Sequence, residues 1–395
     1  MCGIYGITAK DPEFIHNFIE VCKHRGPDGE RVWWDETVTL GHNLLSIMAN
    51  PDLSRQPWKT PKGNILVYNG EIFNYYELKK KYNGKGFAGI TGCDTELLAW
   101  GLDEFGLDFI DEIDSMHGFA YYEIDKKQIT LSRDHAGIKP VYYAEIEQGL
   151  VFGSEIKGML DKVPGSRKLD ELAVGCMSTT GINPLRNTFF TGIKKLLAGE
   201  TIVYDIANKK ITNTKRVFIK PNSNKKFNPN EFRTIAQQSI KMASIGKRKI
   251  GVFLSGGLDS SLVAYELKNV VGEANTFTNR MIPNYVHPKD GDHNEDADCA
   301  KVLADINSFN HAEVTITPEI VKEYWSDSIY YMEQPVYSPS LAMYCYTNKM
   351  LHNNGIVVTM AGDMGDEVLG GYPKYWKLRK EKLNTWADVI DKWIN

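Results

Sequence analysis

Over residues 249–261 the chain reads KIGVFLSGGLDSS, a short apolar run that stops abruptly at glycine and hydroxyl residues. Ile250, Val252, Phe253 and Leu254 suit a buried parallel strand. The following SLVAYELKNVV carries apolar side chains at helical spacing, and Asp259 and Ser260 are favourable N-cap residues. The pattern predicts strand, glycine loop, helix. Further on it predicts a strand from Thr276, a helix over 295–306, a strand over 312–317, a helix over 339–352 and a buried strand over 355–360 (GIVVTM). Such alternation implies an α/β doubly wound, mostly parallel sheet, which binds ligands at the C-terminal ends of its strands.

Before residue 220 the pattern changes to short strands separated by polar islands: HRGPDG (24–29), GHNLLSI (41–47), VYNGEIFN (67–74) and GCDTE (92–96). Residues 199–212 read as one more hairpin. The polar segment 220–230, with two prolines, reads as a linker. A helix over 230–245 then places Phe232, Ile235, Ala236 and Ile240 on one face. The domains expected are therefore 1–219 and 231–395.

With 395 residues there is material for two or three full cores. A net charge of −4 gives no reason to expect nucleic acid or an anionic membrane as partner. No apolar run approaches a membrane span, and MCGIYGITAK lacks a basic signal-peptide start. The six cysteines are scattered singly, so neither a zinc site nor a disulfide framework is indicated, and a reducing cytoplasm fits.

The loop at 255–260 is neither G-x-x-x-x-G-K-[ST] nor G-x-G-x-x-G. Its glycines and the following helix N-terminus suit phosphate oxygens. It resembles the S-G-G-x-D-S pyrophosphate loop of the ATP pyrophosphatases, which implies ATP cleaved to AMP and pyrophosphate. Past the strand at 355–360, AGDMGDEVLGGY (361–372) sets Asp363, Asp366 and Glu367 among glycines, oxygen donors that suit Mg²⁺ shared with phosphate. This stretch, with MEQPVYSPS (332–340), resembles the asparagine synthetases, although Ala361 and Met364 stand where that signature has Ser and Gly.

Cys2 would expose a free α-amine on removal of Met1, and that amine can act as base for its own thiol. In this order the polar islands, with RDHAGIKPVYY (133–143) and FGSEIK (152–157), resemble a class II glutamine amidotransferase domain. The fold implied is an α+β N-terminal-nucleophile sandwich, αββα. The resemblance makes Cys2 the nucleophile and Asn69 and Gly70 the oxyanion hole. It gives glutamine the contacts Leu44, Leu45, Ser46, Ile47, Asn69, Gly70, Glu71 and Asp94, with the last two acids on the α-amine. In the second domain it gives ATP the contacts Leu254, Ser255, Gly256, Gly257, Asp259, Ser260, Asn279, Ala361 and Gly362. Mg²⁺ goes to Asp259 and Asp366, and Asp363 supports formation of β-aspartyl-AMP. Met116 and Ile138 fall near an ammonia channel.

The whole pattern resembles a glutamine-dependent asparagine synthetase, with glutamine, aspartate and ATP as substrates. The open alternatives are an amidotransferase for a sugar or peptide carboxylate and a non-catalytic scaffold. Cys2 argues against the β-lactam-forming relatives, which lack the nucleophile. Leu44 stands where the family usually has a carboxylate-gripping arginine, with Arg55 as a nearby substitute. His117 replaces a common Phe and reads as a structural histidine. The resemblance also implies a longer C-terminal part than this chain carries. The tail, with Trp376, Leu383, Trp386, Val389, Ile390 and Trp393, reads as a packing face, and Lys374 and Lys377 as candidate pyrophosphate contacts. The remaining partner expectations are a homodimer and a second polypeptide supplying the missing part.

Overall fold

The computed structural model describes residues 1–219, 226–282, 286–287, 291–292 and 294–373. The tail read as a packing face, Lys374 and Lys377, and most of the linker lie outside these residues. The chain forms two compact units. The first holds Met1–Pro229, Ile245–Lys247 and Ile329–Val336, and the second holds Asn230–Ser244, Arg248–Ser328 and the residues from Tyr337 onward.

The first unit contains two six-stranded antiparallel sheets. Gly3–Ile7 lies in the interior of one, between Gly149–Gly153 and Thr39–Leu44, with Gly29–Trp34 outermost. Ile65–Ile72 and Ser115–Glu123 pair in the other. Ile4, Leu40, Val67, Ala120, Leu131 and Phe152 belong to one fully buried cluster shared by the two sheets. Each sheet is also covered on its outer face. Helix Pro12–Val21 brings Ile15, Phe18 and Ile19 against Tyr5 and Ile7, and helix Asp94–Phe105 brings Leu97, Leu98 and Trp100 against Leu66, Tyr68 and Ile72. Covering on both faces explains why GIYGI is buried at every position rather than alternating. This is the expected αββα sandwich.

The second unit has a parallel sheet in the order Asn310–Ile316, Asn275–Met281, Ile250–Phe253, Val358–Met360. Helix Leu258–Val271 follows strand Ile250–Phe253, and helix Glu295–Asn307 comes after strand Asn275–Met281. The α/β architecture is the expected one, with local differences. GIVVTM is not a buried strand: only Val358–Met360 pairs, at the end of the strand order, and Thr359 is exposed. Helix Pro229–Ala243 buries no residue fully, and Ile235, on the face expected to be apolar and covered, is 52% exposed.

One fully buried acid organises the polar segment after strand Gln128–Arg133. Asp134 accepts from the backbone N–H groups of Ala136 and Ile138 through Oδ1 and from those of Lys139 and His117 through Oδ2, at 2.9–3.2 Å. Four donors would be orphaned together without it. Asp134→Ala is expected to lower unfolding free energy by about 3 kcal/mol or more, read from urea denaturation; a change below about 1 kcal/mol would show that the loop does not depend on this carboxylate.

Candidate active site

Cys2 is held at both ends. Its carbonyl accepts from Arg25 Nε at 2.9 Å, and its Sγ accepts from the Leu45 N–H at 3.3 Å. Arg25 is itself buried and donates through Nη1 to Glu155 at 2.9 Å. Glu155 also meets His24 Nε2 at 2.8 Å and Lys157 Nζ. Burial alone would raise the Glu155 pKa; the His24 hydrogen bond and the Arg25 and Lys157 charges outweigh it and hold the carboxyl at about 2. Glu333, from the E-x-P segment, completes the cluster by accepting from the Ile156 and Lys157 N–H groups, each at 2.7 Å, and pairing with Lys157 Nζ at 3.0 Å. The local consequence is a fixed backbone beneath the thiol.

That thiol is part-buried. Burial raises the Cys2 pKa, against the Leu45 hydrogen bond and nearby cations. Burial also pushes the terminal ammonium of Met1 down to about 5. Lys139, only 6% exposed, is lowered by burial and raised by the charges of Cys2 and Glu71. These mutual effects bring Cys2, Lys139, Glu71 and Asp94 into one site.

Asn69 and Glu71 lie on strand Ile65–Ile72 and are buried, yet Asn69 Nδ2 and Glu71 Oε1 have no hydrogen-bond partner among the described residues. Buried polar atoms without partners are costly, so such atoms mark a place for a ligand or water. Gly70 lies between them. A Cβ there would come within 2.3 Å of the Met116 carbonyl oxygen, so only glycine fits against the neighbouring strand. Asp94, in contrast, is well satisfied: Oδ2 accepts from Tyr68 Oη and the Ile72 N–H, both at 3.1 Å, and Oδ1 from the Thr95 N–H at 3.0 Å. Leu45 and Ser46 are buried beside Cys2, the Ser46 N–H donates to Asp28 at 2.8 Å, and Ile47 is half-buried. Leu44 lines a cavity of about 280 Å³ with Arg31, His42, Arg55 and Gln56.

His117 and Ile138 do not enter this group by any contact with Cys2. His117 hydrogen-bonds Ser115 Oγ at 2.8 Å and Ser132 Oγ at 3.3 Å, and burial lowers its pKa to about 4, as fits a structural histidine. Ile138 is 53% exposed, and Met116 pairs with Glu71 across the strands. The sequence reading missed Arg25, Lys139, Glu155 and Gln56. RDHAGIKP and FGSEIK contain two of them, but only the fold brings these to the thiol.

In the second unit the loop after Ile250–Phe253 is shaped by backbone proximity. Gly256 has φ +80°, and a Cβ there would meet the Asp296 carbonyl oxygen at 2.6 Å. Gly257, not Asp259 or Ser260, is the N-cap, because Leu258 and Asp259 already belong to the first helical turn. Ser260 Oγ instead turns back to accept from the Ser255 N–H at 3.1 Å. The 361–371 loop presses on this turn: at Gly362 a Cβ would lie 2.5 Å from Ser260 N, and at Gly365 2.3 Å from Asp259 Oδ2. Asp366 stands in the first turn of helix Gly365–Leu369, beside Gly371. Leu254 O accepts from Thr278 Oγ1, and Asn279 Oδ1 from Thr347 Oγ1 at 2.6 Å. The structure thus gathers Asp259, Ser260, Gly362 and Gly365, with Asp366 next along the chain. It does not show Asp363 against Asp259, and Asp363 instead acts on Tyr344, whose pKa burial raises first.

Glu71 provides a pH signature. Burial, then the Asp94 charge, raises its pKa from 4.5 to about 8. An acid with a raised folded pKa contributes stability below its unfolded pKa and loses it as pH rises through the folded value. Stability is therefore expected to fall by a few kcal/mol between pH 4.5 and 8, and Glu71→Gln to remove that slope and exceed the parent at pH 9. Parallel denaturation profiles for the two proteins across this range would refute the assignment.

Residues 1–217 match the glutamine amidotransferase domain family and residues 231–392 the asparagine synthase family. Among curated proteins, glutamine-hydrolysing asparagine synthetase 3 of Bacillus subtilis is 24% identical over 100% of this chain and 67% of its own length. Glutamine-hydrolysing asparagine synthetase B of Escherichia coli is 26% identical over 97% of this chain and 66% of its own. The chain thus spans about two thirds of the length of these relatives. Among solved structures, the glutamine phosphoribosylpyrophosphate amidotransferase of B. subtilis aligns at TM-score 0.40 and 16% identity, covering 69% of this chain and 65% of that one. The chain belongs to the glutamine amidotransferase domain family and carries an asparagine synthase domain behind it.

Proposed function

We propose that the chain is a glutamine-dependent asparagine synthetase. The observation that carries the amidotransferase half is the part-buried Cys2 thiol, whose charge acts on Lys139 together with that of Glu71, on the strand where Asn69 Nδ2 and Glu71 Oε1 have no partner among the described residues. In this reading Cys2 Sγ attacks the side-chain amide carbon of glutamine. The oxyanion is met by Asn69 Nδ2 and the Gly70 N–H, preorganised donors. Ammonia leaves with the thiol proton, and water releases glutamate from the thioester. The proton needs a base, because burial raises the thiol. The Cys2 α-amine exposed on Met1 removal would accept it. Glu71 and Asp94 take the glutamine α-amine.

In the second unit, ATP lies on the Ser255–Gly256–Gly257 loop, with its phosphates toward the Leu258–Val271 helix N-terminus. Leu254, Asn279, Ala361 and Gly362 flank the nucleotide. Among the described residues no three acids, histidines or cysteines cluster as a metal site. Asp259 and Asp366 nevertheless fit Mg²⁺, which is commonly held by one or two carboxylates plus substrate phosphates; bound there, it would neutralise phosphate charge. Aspartate attacks the α-phosphate of ATP through its β-carboxylate, pyrophosphate leaves, and Asp363 supports this step. Ammonia then displaces AMP to give asparagine. No helix among the described residues is long and apolar enough to cross a membrane, and we place the reaction in the cytoplasm.

The test is product analysis with ATP, glutamine and aspartate. Cys2→Ala is expected to abolish glutamine hydrolysis while sparing ammonia-dependent synthesis, and Asp366→Asn to cut aspartate-dependent ATP–pyrophosphate exchange about 10²–10³-fold while sparing glutaminase activity. Exchange driven by a sugar or peptide carboxylate and not by aspartate would replace the acceptor. Glutamine hydrolysis at the parent rate in Cys2→Ala would remove the nucleophile assignment.

A further inference from the structure

Glutamine is a zwitterion, and the acids Glu71 and Asp94 can serve only its ammonium. Its α-carboxylate needs a cation, and Leu44, the wall nearest the thiol's partner Leu45, offers none. Arg25 is committed to the Cys2 carbonyl and Glu155, and three further cations stand within the candidate site or its adjoining cavity. Lys139 is at the thiol end, 3.3 Å from Met1 Sδ, with its charge disfavoured by burial. Arg55 is committed to Asp52 at 2.5 Å, on a rim where both side chains are well exposed. The exposed Arg31 side chain has no hydrogen bond or ion pair to any described residue, and it lines the same 280 Å³ cavity as Leu44, His42 and Gln56, with Asp28, Glu30 and Asp52 also on its wall.

Sheet register gives Arg31 its direction. It lies directly opposite His42, and Gly29 lies opposite Leu44. Opposed residues in an antiparallel pair share a face, so Arg31, His42 and Leu44 all face the same way. His42 Nε2 meets the carbonyl oxygen of Tyr68, on the strand that carries Asn69 and Glu71, at 3.2 Å, which identifies that face as the one turned toward the other sheet. Leu44 is the diagonal neighbour of Arg31, at a separation of about 7–8 Å that a long side chain spans. The ground between is open: a Cβ at Gly29 would find nothing within 4 Å. His42 cannot supply the charge, since burial lowers its pKa to about 4.

We propose that Arg31, reaching across Gly29 from the neighbouring strand, is the specificity residue that binds the α-carboxylate of the amide donor in the cavity beside Leu44. The inference rests on the glutaminase reading of Cys2. Glutamine enters with its carboxylate toward Arg31, its ammonium toward Glu71 and Asp94, and its side-chain amide toward Cys2. A guanidinium offers two parallel N–H donors to such a group.

Steady-state glutamine hydrolysis by the full chain tests this, with L-glutamine and L-glutaminamide, which lacks the α-carboxylate, as paired substrates. Arg31→Gln is expected to raise KM for glutamine about ten- to a hundredfold with kcat little changed. It should also erase most of the parent's preference for glutamine over glutaminamide. Arg31→Lys should fall between. Leu44→Arg placed in the Arg31→Gln protein should recover the KM, which a merely structural role of Arg31 would not allow. An unchanged KM and preference in a folded Arg31→Gln protein would overturn the proposal, as would a KM rise confined to Arg55→Gln. A parent chain with no glutaminase activity would overturn the Cys2 reading itself and this inference with it, so the two failures are separable.

Discussion

A guanidinium taken out of water must be answered, and the answer to Arg25 sets the geometry of the amidotransferase unit. Its Nε goes to the Cys2 carbonyl and its Nη1 to Glu155. Glu155 in turn needs Lys157 and His24, and Lys157 is shared with Glu333. Each partner removes a desolvation cost that would otherwise fall on the next. The result is a chain of buried charges reaching from the start of strand Gly3–Ile7 to Ile329–Val336. Removing one member leaves another charge uncompensated, so the group behaves as a unit.

The two candidate sites are prepared in different ways. Around Cys2 the cost is electrostatic: polar atoms of Asn69 and Glu71 are buried and lack partners among the described residues. Around Ser255–Ser260 it is steric: Gly256, Gly362 and Gly365 allow backbones and a carboxylate to approach where any Cβ would collide. The first arrangement suits a small, charged amino acid whose groups can be met one by one. The second suits a phosphate chain that is met by backbone N–H groups.

What the sequence made legible was local. Strand, glycine loop and helix at 249–261 follow from apolar run, glycines and helical spacing within thirteen residues. The polar islands revealed the amidotransferase unit because each carries its chemistry in a few adjacent residues. What it concealed was non-local. Arg25 meets Glu155 across 130 residues, and Lys139 feels Cys2 across the sandwich. Arg55 drew attention by its proximity in sequence, whereas Arg31 faces the cavity only through strand register. GIVVTM reads as buried from composition alone, but among the described residues it stands at the end of the sheet, and only three of its residues pair.

Met364 has φ +71°, in the left-handed region, and is 63% exposed as the N-cap of helix Gly365–Leu369. A side chain held there costs about 1–2 kcal/mol, with little packing to offset it. Converted to populations, that strain is a factor of roughly five to thirty against the observed backbone. The acid loop therefore sits closer to its alternatives than a glycine at this position would leave it. A ligand that differs in affinity by the same modest factor between two loop conformations is enough to change which one predominates.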